Sequence, residues 1–171
     1  MTGADTSDSL HEEELRHAAS RLCTACGMCC NGVLFEIVRL QPQDNMRDLE
    51  RLGMEIYRKK KEPYFKQPCR FLDDCTCTIY TQRPSRCRHF ECRQLKLLAA
   101  GEITEGDAME KITQAKALVA QIHASLSALG DDARQDSLEE RTRRVLELHP
   151  DAPHQEESAA LKEMLNREFR L

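Results

Sequence analysis

Cys23-Thr24-Ala25-Cys26-Gly27-Met28-Cys29-Cys30 puts four thiols within eight residues. No apolar packing pattern asks for them so close. Thiols this dense are either oxidised together or held as thiolates on a soft metal. The two-residue gaps between Cys23, Cys26 and Cys29 let one loop turn several sulfurs toward a common centre, as zinc and iron–sulfur loops do. Gly27 can take a positive φ at little steric cost, which helps the chain wrap that centre. Asn31-Gly32 follows at once as a turn signal and closes the loop.

The remaining composition bounds the class of protein. With 171 residues the chain is most simply one domain, long enough to bury a real core. Hydrophobic residues make up 40% and aromatics only 5%, with no Trp, which favours helices with an aliphatic core over a β-sandwich. A net charge of −4 argues against an overall electrostatic grip on nucleic acid, though it leaves room for a local basic face. The polar, acidic stretch from Met1 to Leu10 lacks the basic start and apolar run of a secretory signal. No stretch approaches the roughly 18 apolar residues of a transmembrane helix, so no membrane role is expected. These features point to the cytoplasm, where thiols are kept reduced and nine cysteines read as metal ligands rather than a disulfide framework.

In chain order, residues 8–20 suggest a short helix capped by Ser9 with Glu12, its apolar side formed by Leu10, Leu15, Ala18, Ala19 and Leu22. Gly32 to Leu40 reads as a short strand. Gln41-Pro42-Gln43-Asp44 opens a helix whose apolar side is Met46, Leu49, Leu52, Met54 and Ile56. The basic run Arg58-Lys59-Lys60-Lys61 is read as its solvated end. A second cysteine region spans Lys66 to Cys92, with a hairpin expected about Asp73-Asp74 and a turn or short helix from Arg83-Pro84. Beyond it the chain is helical: Gln94 to Ala100, a long amphipathic helix from the Thr104 cap to Gly130, a third opened by Ser137, and a last from Pro153.

Together the two cysteine regions resemble the CxxCxxCC, or YkgJ-like, family of zinc- or iron-chelating proteins. The first half of the likeness is Cys23-x-x-Cys26-Gly27-x-Cys29-Cys30. The second is Cys69-x-Phe71-Leu72, then Cys77-x-Ile79-Tyr80-x-x-Arg83-Pro84-x-x-Cys87-Arg88-x-Phe90-x-Cys92. It covers about residues 22–95. The resemblance implies eight metal ligands: Cys23, Cys26, Cys29, Cys30, Cys69, Cys77, Cys87 and Cys92. Cys75 departs from the pattern, standing where a turn residue is usual.

Eight thiolates admit three solutions: two tetrahedral zinc sites, a cubane cluster with sulfurs to spare, or a thiolate-bridged binuclear centre. Soft thiolates suit zinc and iron alike, so the cofactor is read as zinc or an iron–sulfur cluster. Arg70, Arg83, Arg86, Arg88 and Arg93 could offset crowded negative charge, Arg83 foremost. His89 is a further candidate ligand, although the sulfurs already suffice. His11, His17, His123, His149 and His154 read as surface residues. Tyr80 and Phe90 are expected to seal the site, and Met28 to pack beneath it.

The fold expected is mainly α with a small irregular, metal-organised α+β region. Residues 1–20 form a tail and short helix, 21–95 the metal-binding domain, and 96–171 a helical extension packed on it. The function expected is metal binding, with electron transfer or redox sensing as the role and the tail as the surface for a protein partner. One alternative is a metal-dependent enzyme related to protein methyltransferases. Flagellin lysine N-methylase, which carries this cluster, suggests it, but the chain shows no G-x-G-x-x-G loop and no acid–base or nucleophile pair. The other alternative is a zinc-type nucleic-acid or protein interaction module, disfavoured by the acidic total and the scarcity of stacking aromatics.

Overall fold

The computed structural model describes residues 4–58, 62–151 and 154–171, with backbone alone for 4–10 and 154. Its elements in order are α1 (Ala4–Cys26), β1 (Ile37–Arg39), α2 (Met46–Arg51), β2 (Tyr64–Lys66), β3 (Leu72–Asp73), β4 (Thr76–Cys77), α3 (Ser85–His89), α4 (Arg93–Ala99), α5 (Glu105–Ala128), α6 (Leu138–Leu148) and α7 (His154–Glu168). The fold is thus mainly helical with little sheet, as the composition implied.

The long helix α5 is the axis of the larger body. Thr104 caps it in a reciprocal box, its hydroxyl accepting from Asp107 N–H while the Asp107 carboxylate accepts from Thr104 N–H. Ala108, Ile112, Ala115, Ile122 and Leu126 recur at three and four residues and are all buried, so one stripe of α5 faces inward along its whole length. Helices α1, α4, α6 and α7 pack around it. Leu22, Met28 and Leu34 from the cysteine segment enter the same core, with Leu138, Val145, Leu161, Leu165 and Phe169 from the C-terminal helices.

A smaller core lies on the other side of the cysteine segment, built from Leu40, Leu49, Met54, Phe65 and Ile79. Strands β1 and β2 pair antiparallel above it, and β3 with β4 form the expected hairpin. Asp74 at φ 52 makes the turn between them.

Several elements differ from the sequence reading. Helix α1 starts before Ser9 and runs through Cys23 and Cys26, so those thiols lie on its last turns rather than in a loop. Only Ile37–Arg39 of the Gly32–Leu40 strand is strand. Leu34 N–H bonds the Met28 carbonyl and the Leu34 carbonyl accepts from Arg170, so that backbone is satisfied away from a sheet. Helix α2 stops at Arg51, because Gly53 at φ 100 turns the chain and leaves Met54 and Ile56 outside. Arg58 lies outside any helix and pairs with Glu50, while Lys59, Lys60 and Lys61 lie outside the described residues.

A buried ionic network ties α5 to α6. The Arg141 side chain, 2% exposed, donates to Asp131 Oδ2 at 2.6 Å and to the Asp131 carbonyl at 3.1 Å. Its third contact is His123 Nδ1 at 2.9 Å. Arg144 takes the other oxygen of Asp131 at 2.5 Å. His123, expected at the surface, is half-buried here. Its position among the apolar residues of α5 was visible, but its distant partner Arg141 was not.

Candidate metal centre

Gly27 ends α1 at φ 67, in the left-handed region where a side chain is strained. Its N–H still bonds the Cys23 carbonyl at 3.0 Å. Its own carbonyl then accepts from Cys30 N–H at 2.9 Å and Asn31 N–H at 3.1 Å, which draws Cys29 and Cys30 back over the helix end. Asn31 Oδ1 accepts from Val33 N–H and completes the turn. Lys116 of α5 reaches the Ala25 carbonyl at 2.8 Å, satisfying one of the orphan acceptors of the last turn of α1.

The second cysteine region closes onto this turn. Cys69 N–H donates to the Cys30 carbonyl at 2.7 Å. Leu72 N–H bonds the Cys69 carbonyl at 3.0 Å, and the hairpin pairs Leu72 with Cys77. Cys87 sits in α3, whose first residue Ser85 gives its N–H to Asp44 at 2.7 Å. Cys92 is the residue before α4, and Arg93 N–H and Gln94 Nε2 fasten that helix to the carbonyls of Phe169 and Glu168. The C-terminal helices therefore hold the cysteine segment from below. Gly32 has Ser137 Cα and Pro68 Cδ each 3.1 Å from where a Cβ would stand.

All nine cysteines are free thiols; Cys23 is exposed and the other eight are half-buried. Burial is the first cause that raises seven of these thiols, and neighbouring thiolates add to it for most of the seven. Cys26 is pushed up to about 11, and Cys30 and Cys87 to about 12. Cys23, Cys29, Cys69 and Cys92 are also raised. Opposing contributions come from the backbone. The Met28 amide favours the Cys26 thiolate, the Phe71 amide that of Cys69, and the Gln94 and Leu95 amides that of Cys92. Arg83 is the cation that favours the thiolates of Cys23, Cys30 and Cys87.

This is a poor place for bare thiolates and a good one for thiolates bound to a soft dication, whose charge reverses the penalty. Among the described residues no three Cys, His, Asp or Glu side chains already stand assembled as a metal cage. The donor chemistry nevertheless fits zinc or iron, and the two cysteine segments meet at the Cys30–Cys69 backbone hydrogen bond.

Other expected site residues fall in mixed places. Met28 is 1% exposed and packs in the larger core. Phe90 meets Phe35 edge-on at 5.0 Å between ring centroids. Tyr80, expected to seal the site, is 60% exposed. It serves instead as a platform for Arg83, whose guanidinium lies 3.6 Å from the ring centroid and whose Nε donates to the Tyr80 carbonyl. Arg70, Arg88 and Arg93 bond the carbonyls of Gly53, Arg83 and Arg170. His89 Nδ1 contacts the Ser85 carbonyl at 2.8 Å, which commits that nitrogen to donation. Sequence reasoning missed the seat of Cys75. Its Sγ lies 3.0 Å from the point where a Gly27 Cβ would stand, so the β3–β4 turn rests on the first cysteine loop. Only the glycine hinted at that contact.

The geometry now bears comparison with known proteins. The chain belongs to the CxxCxxCC family, described as a zinc- or iron-chelating domain, whose model matches residues 22–117. The match runs past the last cysteine and into α5, while α6 and α7 lie outside it. No curated protein and no solved structure matches the chain.

Proposed function

We propose that this chain is a cytoplasmic metal-binding protein that holds zinc or an iron–sulfur centre through Cys23, Cys26, Cys29, Cys30, Cys69, Cys77, Cys87 and Cys92. The observation that carries this reading is that all nine cysteines are free thiols and that the two cysteine regions join directly, Cys69 N–H meeting the Cys30 carbonyl at 2.7 Å. A bound metal would hold these sulfurs as thiolates and tie together the segments that carry them, so metal affinity would become folding free energy. With zinc the centre is structural; with iron and sulfide it can also carry an electron.

Within that reading residues 21–95 are the metal-binding unit and 96–171 brace it. The inward packing of α5 and α7, and the Lys116 contact to Ala25, support a bracing role for the tail. The engagement of Arg70, Arg88 and Arg93 with backbone carbonyls weighs against a nucleic-acid surface on this face. Among the described residues, no helix is long and apolar enough to cross a membrane.

The test is anaerobic purification followed by metal and sulfide analysis and a visible spectrum. Iron with labile sulfide and a broad absorption band selects the electron-carrying form. Zinc without colour selects the structural form. Neither metal above trace overturns the proposal.

A further inference from the structure

We infer that the eight ligand cysteines form two separate four-thiolate centres, one from Cys23, Cys26, Cys29 and Cys92 and the other from Cys30, Cys69, Cys77 and Cys87. The inference rests on the metal-binding reading above and assigns its ligands, with the first cysteine region split at the Cys29–Cys30 peptide bond.

Two observations make the division. The first is packing. Cys26, Cys29 and Cys92 lie against the larger helical core, whereas Cys69, Cys77 and Cys87 lie against the smaller one. The second is backbone connection. Cys23 and Cys26 share the last turns of α1, and Gly27 folds the next turn back over them. Cys30 is bonded to Cys69, and Cys69 is held beside Cys77 through Leu72.

Each set also makes mechanical sense. Either centre takes ligands from both cysteine regions, so neither region closes a site alone. The first would weld the end of α1 to the start of α4. The second would weld the turn at Cys30 to the β3–β4 hairpin and to α3. Cys75 touches the first loop at Gly27, but it is the ninth sulfur and belongs to neither set. Among the described residues neither set stands assembled as a cage, so loading would include an inward movement of each.

Cadmium-113 is a direct probe, because its resonance correlates with the β-protons of the cysteines that bind it. On the full chain the expected result is two cadmium resonances, each correlated with the four cysteines of one set and none shared. A cysteine correlated with both resonances, or a resonance drawing on both sets, overturns the division while leaving metal binding intact. No cadmium bound at all removes the metal-binding reading and this inference with it. Variants give a second reading: Cys26→Ser/Cys92→Ser and Cys69→Ser/Cys87→Ser should each keep one of two metals, and Cys75→Ser should keep both. Cys26→Ser/Cys87→Ser should keep neither. If the two same-set variants lose both metals while the mixed variant keeps one, the assignment is wrong.

Discussion

Gly27→Ala should destabilise the cysteine loop through two separable effects. At φ 67 an alanine is held in the left-handed region, which costs about 1–2 kcal/mol. Its Cβ would also stand 3.0 Å from Cys75 Sγ, inside normal contact, and overpacking of this kind typically costs about 1–3 kcal/mol. Together they give roughly 2–5 kcal/mol. The two parts separate in a double-mutant cycle, because Cys75→Ala removes the sulfur and leaves the Cys75 Cβ at an ordinary 3.5 Å. The double variant should therefore be about 1 kcal/mol or more better than the sum of the singles, while the φ cost persists. Equilibrium urea unfolding under reducing conditions with a chelator, followed by circular dichroism, measures each corner. A neutral Gly27→Ala, or strictly additive variants, would refute the docking of the β3–β4 turn on this loop.

Three further outcomes test the helical body. Arg141→Met leaves the buried Asp131 carboxylate with Arg144 alone and strips the Asp131 carbonyl and His123 of their donor. A loss of about 3 kcal/mol in thermal unfolding is expected, the lower end for a broken buried pair because Arg144 remains. Burial and then the Arg141 charge hold the His123 imidazole below its ordinary 6.5. The unfolded chain then binds that proton first, so this contribution to stability is complete above pH 6.5 and lost as pH falls below it. Burial alone would raise Asp131, but the hydrogen bonds from Arg144 and Arg141 bring it below 3.8, so its contribution is lost only in stronger acid. His123→Gln should abolish the first loss in a pH series of denaturation midpoints and keep the second. Leu126→Ala, at a site with no exposure, should cost about 2–5 kcal/mol. Leu148→Ala, 73% exposed, should stay within about 0.5 kcal/mol in the same assay.

Two local sequence signals carried through to the structure, while the Ser9–Glu12 cap did not, since α1 starts before it. The Thr104–Asp107 cap and the three-and-four spacing of Ile112, Ala115, Ile122 and Leu126 need no distant partner, and α5 follows them. Ser137 likewise caps α6 by accepting from Glu140 N–H. Elements set by distant contacts were not legible. The strand after Gly32 is short because Arg170 and Met28 take the backbone groups of Leu34. Tyr80 lies outside because Arg83 occupies its face. The seating of Cys26, Cys29 and Cys92 against one core, and of Cys69, Cys77 and Cys87 against the other, was not legible either, because it depends on which distant segment each meets.

Thiol counting on anaerobically purified protein, with metal measured alongside, tests the central claim most directly. Bound zinc or iron is expected, with eight of the nine cysteines protected from a thiol reagent until the metal is stripped, after which all nine react. Nine reactive thiols at the outset, with metal no higher than trace, would contradict the account.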